Sequence, residues 1–569
     1  MTATQQQPPA SQAAHAAVTG IRPAGDRAIL VELSSLDAVL SLQAQLTAHP
    51  QPGQIDVIAA AATVLATADS PQSVQALSAH IVSLDLESRA ETESALVTID
   101  VVYDGEDLDE VAALTGLGPE AVVAAHTGQL WTAAFAGFAP GFAYLTGENS
   151  SLEVPRRRSP RTAVPAGAVA LGGSYSAVYP RQSPGGWQLI GRTDAVLWDL
   201  GRENPALIRP GDTVRFNAVR AQATVTKAPG MAAKAPEATE PETAEHQAEG
   251  QPAAGSRTGL LVRKPGLQAT IQDLGRRGFA SLGVSSAGAM DRGALRRANR
   301  LVGNAEAAAG IELLFGGLEL VALTDQVLAV TGADVPLEIT PSNKEQQRMT
   351  AVRHPASDAP FALLAGETLA VGNATAGLRS YIGVRGGIGG PEALGSRSTD
   401  TMSGVGPDPL QAGAVLPVEA VKPGSIVGYP EVSPLPDQNQ ATVLRVVPGP
   451  RQDWFSDGML QDFLRQEWTV TPQSNRIGLR LKGQALTRSR DGELSSEGTV
   501  RGAVQVPPEG QPVLFLSDHP VTGGYPVIAV VVHADLDKAA QLPPGATVRF
   551  AAAAPPAELP HTPKESPHA

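Results

Sequence analysis

Cysteine is absent from all 569 residues. That excludes disulfides, thiolate metal sites and a cysteine nucleophile together. No run is apolar for long enough to cross a bilayer. Met1 to Ala17 carry no basic start and no apolar run, so they do not read as a signal peptide. Their Gln/Pro/Ala/Ser composition reads as a disordered tail, and a cytoplasmic protein is the expectation. Positive charge is short as well: the net charge is -14, which argues against general nucleic-acid binding. No Gly-x-x-x-x-Gly-Lys-Ser/Thr loop occurs, so no nucleotide site can be read from that phosphate cradle.

What is present suffices for several domains, and a hydrophobic content of 42% is enough for sizeable cores. Ile21 to Leu33 reads as strand, turn and strand around Gly25-Asp26-Arg27-Ala28, a turn to which no chemistry is assigned. Helical patterns follow, around Ser35 to Ala48 and Ser70 to Leu84. Acidic residues from Glu106 to Glu110 open a further helix and complement its dipole. From 218 to 257 the composition turns to Ala, Pro, Glu, Thr and Gln without apolar period, which reads as a flexible acidic linker.

The densest turn chemistry lies between Gly137 and Thr193. It holds Gly137-Phe138-Ala139-Pro140-Gly141-Phe142-Ala143-Tyr144-Leu145, then Val154-Pro155-Arg156-Arg157-Arg158-Ser159-Pro160-Arg161. Val164-Pro165-Ala166-Gly167 and Ser183-Pro184-Gly185-Gly186-Trp187 follow. Glycine and proline recur too often here for a helix, and the apolar runs between them read as short strands with functional loops. Four arginines within six residues form a cationic loop suited to a phosphate or carboxylate, or simply a solvated surface.

These pieces, in this order, resemble the family of allophanate hydrolase subunit 1, which is also the B subunit of prokaryotic 5-oxoprolinase. Later motifs resemble allophanate hydrolase subunit 2, which is the C subunit of 5-oxoprolinase. Among them are Gln272-Asp273-Leu274-Gly275-Arg276, Gly283-Val284, Ala287-Gly288-Ala289-Met290-Asp291, Ser474-Asn475-Arg476, Ser496-Glu497-Gly498 and Thr522-Gly523-Gly524-Tyr525-Pro526. A fusion of the two carboxyltransferase-domain proteins is the expectation. The resemblance implies a mainly β protein with α+β parts: cyclophilin-like β-barrels plus a small N-terminal α+β domain. The expected division is a tail at 1–18, the α+β domain at 19–93, a barrel at 94–217 and the linker at 218–257. Two related barrels at 258–553 and a tail at 554–569 complete it. Pro210 to Phe216 and Pro544 to Phe550 share a Pro-Gly…Val-Arg-Phe ending, which suggests related barrel closures in the two halves.

The resemblance implies ATP-dependent cleavage of 5-oxoproline to L-glutamate, with Mg²⁺ and a partner, the 5-oxoprolinase A subunit of the lactam-utilisation family. A small-molecule substrate and a possible homo-oligomer are expected, with neither nucleic acid nor membrane. Candidate acid, base or catalytic residues are His126, Asp273, Asp291, Glu497, Asp518 and His519. Arg156, Arg157, Arg158, Arg161, Arg192, Arg276 and Arg476 are the candidate anion-binding side chains, with Arg501 of the same kind. Gly185, Gly186, Gly523, Gly524 and Tyr525 are candidates for presenting backbone N–H groups to an anion. The metal ligands are unknown. Two other readings stay open: the carboxyltransferase part of a urea carboxylase-like system, and a regulator of a histidine kinase. The chain lacks the Met-Lys-Met region that carries biotin.

Overall fold

The computed structural model describes residues 17–86, 94–157, 159, 161–220, 259–341, 351–492 and 494–554. Arg158, nearly all of the expected linker and most of both tails lie outside the described residues. Within the described residues no helix is long and apolar enough to cross a membrane.

A four-stranded antiparallel sheet opens the fold, in the order Val18–Pro23, Ala28–Leu33, Thr63–Ala68, Gln54–Ala59. Helices Leu36–Ala48 and Pro71–Ser83 pack on it. Each starts at a serine: Ser35 Oγ accepts from the Ala38 amide and Ser70 Oγ from the Ser73 amide, both at 3.2 Å. Such caps satisfy amides that the first helical turn leaves unpaired. Side chains alternate across a strand, and here both faces are covered. Ile29, Val31, Val64 and Ala66 lie under the helices with Leu42 and Leu77. Leu30, Ile58 and Leu65 lie against Ala280 and Val521 of the second half.

The next unit is a seven-stranded sheet whose last strand, Thr213–Ala218, runs parallel to its first, Leu96–Val101. Beyond the end of the first strand, Val102 and Arg192 exchange both backbone hydrogen bonds at 2.9 Å, which draws the edge strand Gln188–Arg192 round to the opposite edge. In the second half, residues 260–416 form two five-stranded sheets around a Leu/Ile/Val core. Residues 442–552 then close into a seven-stranded barrel.

The two Val-Arg-Phe endings occupy matching places. Thr547–Ala552 runs parallel to the barrel's first strand, Thr442–Pro448, as Thr213–Ala218 does to Leu96–Val101. Phe550 stacks on Phe463 with ring centres 4.5 Å apart, and Phe216 packs on His126 at 4.4 Å. A tryptophan five residues further donates its indole N–H back to the helix end: Trp131 to the His126 carbonyl at 2.9 Å, Trp468 to the Phe463 carbonyl at 3.1 Å. His126 thus stands where the other barrel has a core phenylalanine.

The halves meet over backbone. Gly283, at φ 79°, lets Ala139 approach: a Cβ there would stand 2.4 Å from the Ala139 carbonyl oxygen. At Gly498 a Cβ would stand 2.6 Å from that of Leu65. Asp56 accepts from the Ala280 amide at 3.2 Å, Asp26 from the His533 amide at 3.1 Å, and Glu32 from Arg451 at 2.5 Å. Cleaving the chain between residues 221 and 258 should therefore leave both halves folded and co-eluting in gel filtration; separation would show that the covalent connection holds them.

His126 is fully buried between the Tyr103 hydroxyl, 2.7 Å from Nδ1, and the Ser176 hydroxyl, 2.8 Å from Nε2. Burial pushes its pKa down to about 3 from 6.5. The unfolded chain takes up this proton near pH 6.5 and the folded chain only near 3. The stability it contributes is therefore complete above 6.5 and lost as pH falls towards 3, by up to about 1.4 kcal/mol per pH unit. Replacing it as His126→Phe orphans two hydroxyls, at about 1–3 kcal/mol each. The stability gap between wild type and variant should narrow between pH 7 and pH 4.5 in thermal melts. A constant gap would mean that the imidazole is charged in the folded protein.

Candidate functional site

The arginine loop is engaged within its own half. Arg157 and Arg161 both donate to Asp107 Oδ1, at 2.7 and 2.8 Å, and Arg161 also reaches Glu106 at 3.2 Å. Asp107 Oδ2 accepts from the Leu189 amide at 2.7 Å. Asp107 holds the N-cap position of helix Leu108–Thr115 without capping it, because its carboxylate serves these donors instead. Arg156 lies over the Trp187 ring at 5.8 Å, and Arg192 pairs with Asp104 at 3.0 Å on the surface. The Gly186 carbonyl accepts from the Arg157 amide at 2.7 Å, and Gly185 leaves room for the Tyr179 hydroxyl.

In the second half most candidates form buried polar networks. Arg476 donates to both Asp518 oxygens, at 2.9 and 2.8 Å, to Glu312 at 2.5 Å and to the Gly288 carbonyl at 2.8 Å. Glu312 also accepts from the Tyr381 hydroxyl at 2.8 Å, and that oxygen accepts from the Asp291 amide at 2.7 Å. Asp291 caps helix Arg292–Val302 through Ala294, at 2.7 Å, and accepts from Gln541 at 2.7 Å. Burial, with Asp537 nearby, raises the Asp291 carboxyl above its usual range. Glu497 pairs with Arg451, which also holds Glu32 of the first half. Asp273 accepts from Gly275, Ser396, Arg397 and Ser398 and so shapes a loop. Arg276 is buried against the Ser398 carbonyl. Gly523 pairs with Glu497 in a short strand pair, Gly524 follows it, and the Tyr525 ring, half exposed, carries Arg488 at 5.7 Å.

A different set of side chains surrounds a cleft of about 200 Å³ between the halves. Arg27 comes from the first-half turn and Arg277 from the loop after strand Gln268–Gln272. Arg292 and Arg296 stand one turn apart on helix Arg292–Val302, and Arg501 precedes strand Ala503–Gln505. Asp26, Asp56, Asp69, His519 and His533 share the wall. Among the described residues, His519 alone of the catalytic candidates read from the sequence lines this cleft, and Arg501 alone of the anion-binding arginines does. The sequence signal for the rest is thin. Arg27 sits in a hairpin turn whose spacing suggests no chemistry, and Arg292 directly follows the Met290-Asp291 motif.

The electrostatics of this wall are unusual. Burial pushes the Arg292 guanidinium down to about 9, and repulsion from Arg501 and Arg277 adds to it. Burial pushes His519 down to about 4 and His533 to about 3, so both are neutral at pH 7. Asp56 is pushed up to about 6 by burial. His519 Nδ1 lies 2.8 Å from the Pro520 carbonyl. A carbonyl only accepts, so Nδ1 carries the proton and Nε2 is the free base.

The network around Arg476 is structural in this arrangement. Arg476→Met takes the cation from buried Asp518 and leaves Glu312 with only Arg379, 3.6 Å away, so it should destabilise the protein by about 3–5 kcal/mol. Thermal or urea unfolding measures this; unchanged stability would show that Asp518 and Glu312 do not need the cation.

Comparison with known proteins follows this division. Residues 19–208 match the carboxyltransferase domain, subdomain C and D, and residues 282–552 match the carboxyltransferase domain, subdomain A and B. The chain is 37% identical over 294 residues to the C subunit of 5-oxoprolinase from Escherichia coli K12, spanning 51% of this chain and 90% of that protein. It is 49% identical over 129 residues to the B subunit of 5-oxoprolinase from Escherichia coli O157:H7, spanning 22% of this chain and 59% of that protein. The crystal structure of TTHA0988 matches at a TM-score of 0.77 and 33% identity, over 94% of this chain and 100% of that one.

Proposed function

This chain belongs to the carboxyltransferase-domain family, its halves similar to the B and C subunits of 5-oxoprolinase, and we propose that it supplies both parts of an ATP-dependent 5-oxoprolinase. The reaction opens the lactam of 5-oxoproline to L-glutamate. One observation carries the assignment of the working site: the cationic cleft exists only where the two halves meet, with Arg27 and Asp56 on one side and Arg277, Arg292, Arg501 and His519 on the other. A fused chain holds both walls at high effective concentration.

The chemistry suits the residues. An unstrained amide resists water and needs activation at its oxygen, orientation of the ring and a proton acceptor. Arginines of the cleft hold anionic groups of the substrate, and neutral His519 accepts a proton at Nε2 from the attacking water. Enclosure between the halves keeps the activated species from bulk water.

The nucleotide is a poor fit for this cleft. About 200 Å³ falls below the roughly 300–1,000 Å³ of pockets that enclose drug-sized ligands. Among the described residues no cluster of three His, Asp or Glu side chains is spaced to hold a metal ion. A separate partner, the 5-oxoprolinase A subunit, completes the enzyme. The purified chain should show little 5-oxoproline-dependent ATP hydrolysis alone and substantial activity once that partner is added. His519→Gln should lower turnover of the resulting complex about 10²–10⁴-fold while leaving its assembly intact. Full turnover by the isolated chain, or none with the partner present, would overturn the reading.

A further inference from the structure

We infer that the cleft between the halves is a site for the phosphoryl dianion of a small phosphorylated molecule, rather than for a nucleotide or a simple carboxylate. The inference rests on the cleft being the working site and names the chemical class that it holds.

Charge is the first argument. Five guanidinium groups face three carboxylates across the wall. Those carboxylates already have donors of their own: Asp26 the His533 amide, Asp56 the Ala280 amide, and Asp69 the Ser73 hydroxyl at 2.7 Å. The two histidines are neutral at pH 7. Glu306, 3.6 Å from Arg296, and Asp537, which accepts from the Arg292 amide at 3.0 Å, stand behind the wall, while guanidinium groups outnumber carboxylates on the lining itself. A phosphoryl group, at about −1.5 to −2, interacts with such a cluster more strongly than a monocarboxylate does.

The second argument is unmet hydrogen bonding. Arg27, Arg292, Arg296 and Arg501 each have a buried Nε without a hydrogen-bond partner among the described residues. Buried donors of this kind call for acceptors. Arg157 Nε and Arg161 Nη1 are unpaired as well, but there the rest of the guanidinium is matched: Arg157, Arg161, Arg451 and Arg476 each donate to a carboxylate at 3.0 Å or less. Within the cleft, Arg296 stands 3.6 Å from Glu306, and Arg501 reaches only the Met290 carbonyl. A phosphoryl group brings three strong acceptor oxygens, a carboxylate two. Guanidinium forks suit that geometry. Burial first, and then repulsion from Arg501 and Arg277, disfavour the charged Arg292, and a bound anion favours it.

Size is the third. The cleft admits a phosphorylated molecule as small as an activated amino acid, or inorganic phosphate, and not a whole nucleotide.

The test is calorimetric titration of the intact chain with inorganic phosphate, 5-oxoproline and ATP in separate experiments. Phosphate should bind at one site per chain, more weakly as salt rises. Arg292→Gln should weaken phosphate binding about ten- to hundredfold. Arg27→Gln, on the opposite wall and on a surface turn, should do the same while eluting and melting like wild type without phosphate. Unchanged affinity in both variants, or no phosphate binding at millimolar concentration, overturns the inference. Tighter competing binding by 5-oxoproline overturns the dianion assignment, and competition by ATP overturns the size argument. Phosphate binding together with no 5-oxoproline turnover in the presence of the partner protein supports the site and overturns only the lactam reading. Turnover without phosphate binding does the reverse.

Discussion

Burial of the second face of the N-terminal sheet is the constraint from which the rest of the arrangement follows. A four-stranded sheet covered only by its two helices would expose Leu30, Ile58 and Leu65 to water. Those side chains are instead packed against Ala280 and Val521. Burying an aliphatic side chain of this size contributes about 1.5–3 kcal/mol. The same contact sets the register of the two halves. It carries the turn at Arg27 to Arg277, Arg292 and Arg501, and so creates the cleft. Gly283 and Gly498 permit that approach, since any Cβ there would meet the opposing chain. Docking of the halves thus rests on this apolar contact together with the hydrogen bonds of Glu32, Asp56 and Asp26 across it.

Arginine is used in two distinct ways in this molecule. At the Arg157–Arg161 loop and around Arg451 and Arg476, guanidinium groups are matched by carboxylates and serve as struts. Breaking one strands a charge, which makes the struts costly to lose and chemically quiet. In the cleft the cations are close together, partly buried and short of acceptors. Unrelieved charge of this sort is a common mark of a functional site, because a ligand completes what the protein leaves open. The two uses cannot be told apart by residue type. They differ in whether the guanidinium donates directly to a carboxylate, as Arg157, Arg161, Arg451 and Arg476 do.

The paired barrels set two histidines in unlike surroundings. His126 has the spacing to Trp131 that Phe463 has to Trp468, and each packs on the phenylalanine of a Val-Arg-Phe ending. Its two ring nitrogens are occupied by the Tyr103 and Ser176 hydroxyls. His519, by contrast, uses one nitrogen on the Pro520 carbonyl and lines the cleft. Two buried, neutral histidines therefore differ in what surrounds the second nitrogen.

Chain chemistry by itself determined a good deal. Helical patterns around 35–48 and 70–84 placed the first two helices, and Pro-Gly turns with Val-Arg-Phe strands marked the paired barrel endings. Ordered motifs in each half pointed to the two joined subunits, and a lack of cysteine closed off whole classes of chemistry. All of these are local properties, set by backbone preference and side-chain period within a few residues. The proposed site is not local. Arg156 to Arg161 is the densest positive stretch of the sequence, yet its Arg157 and Arg161 are met by Asp107, 50 residues from Arg157. The cleft's arginines are scattered from 27 to 501 and stand in no common motif along the chain. Charge density in sequence and charge density in space differ because folding decides which carboxylates arrive beside which cations, and only the tertiary structure shows which guanidinium nitrogens are left without an acceptor.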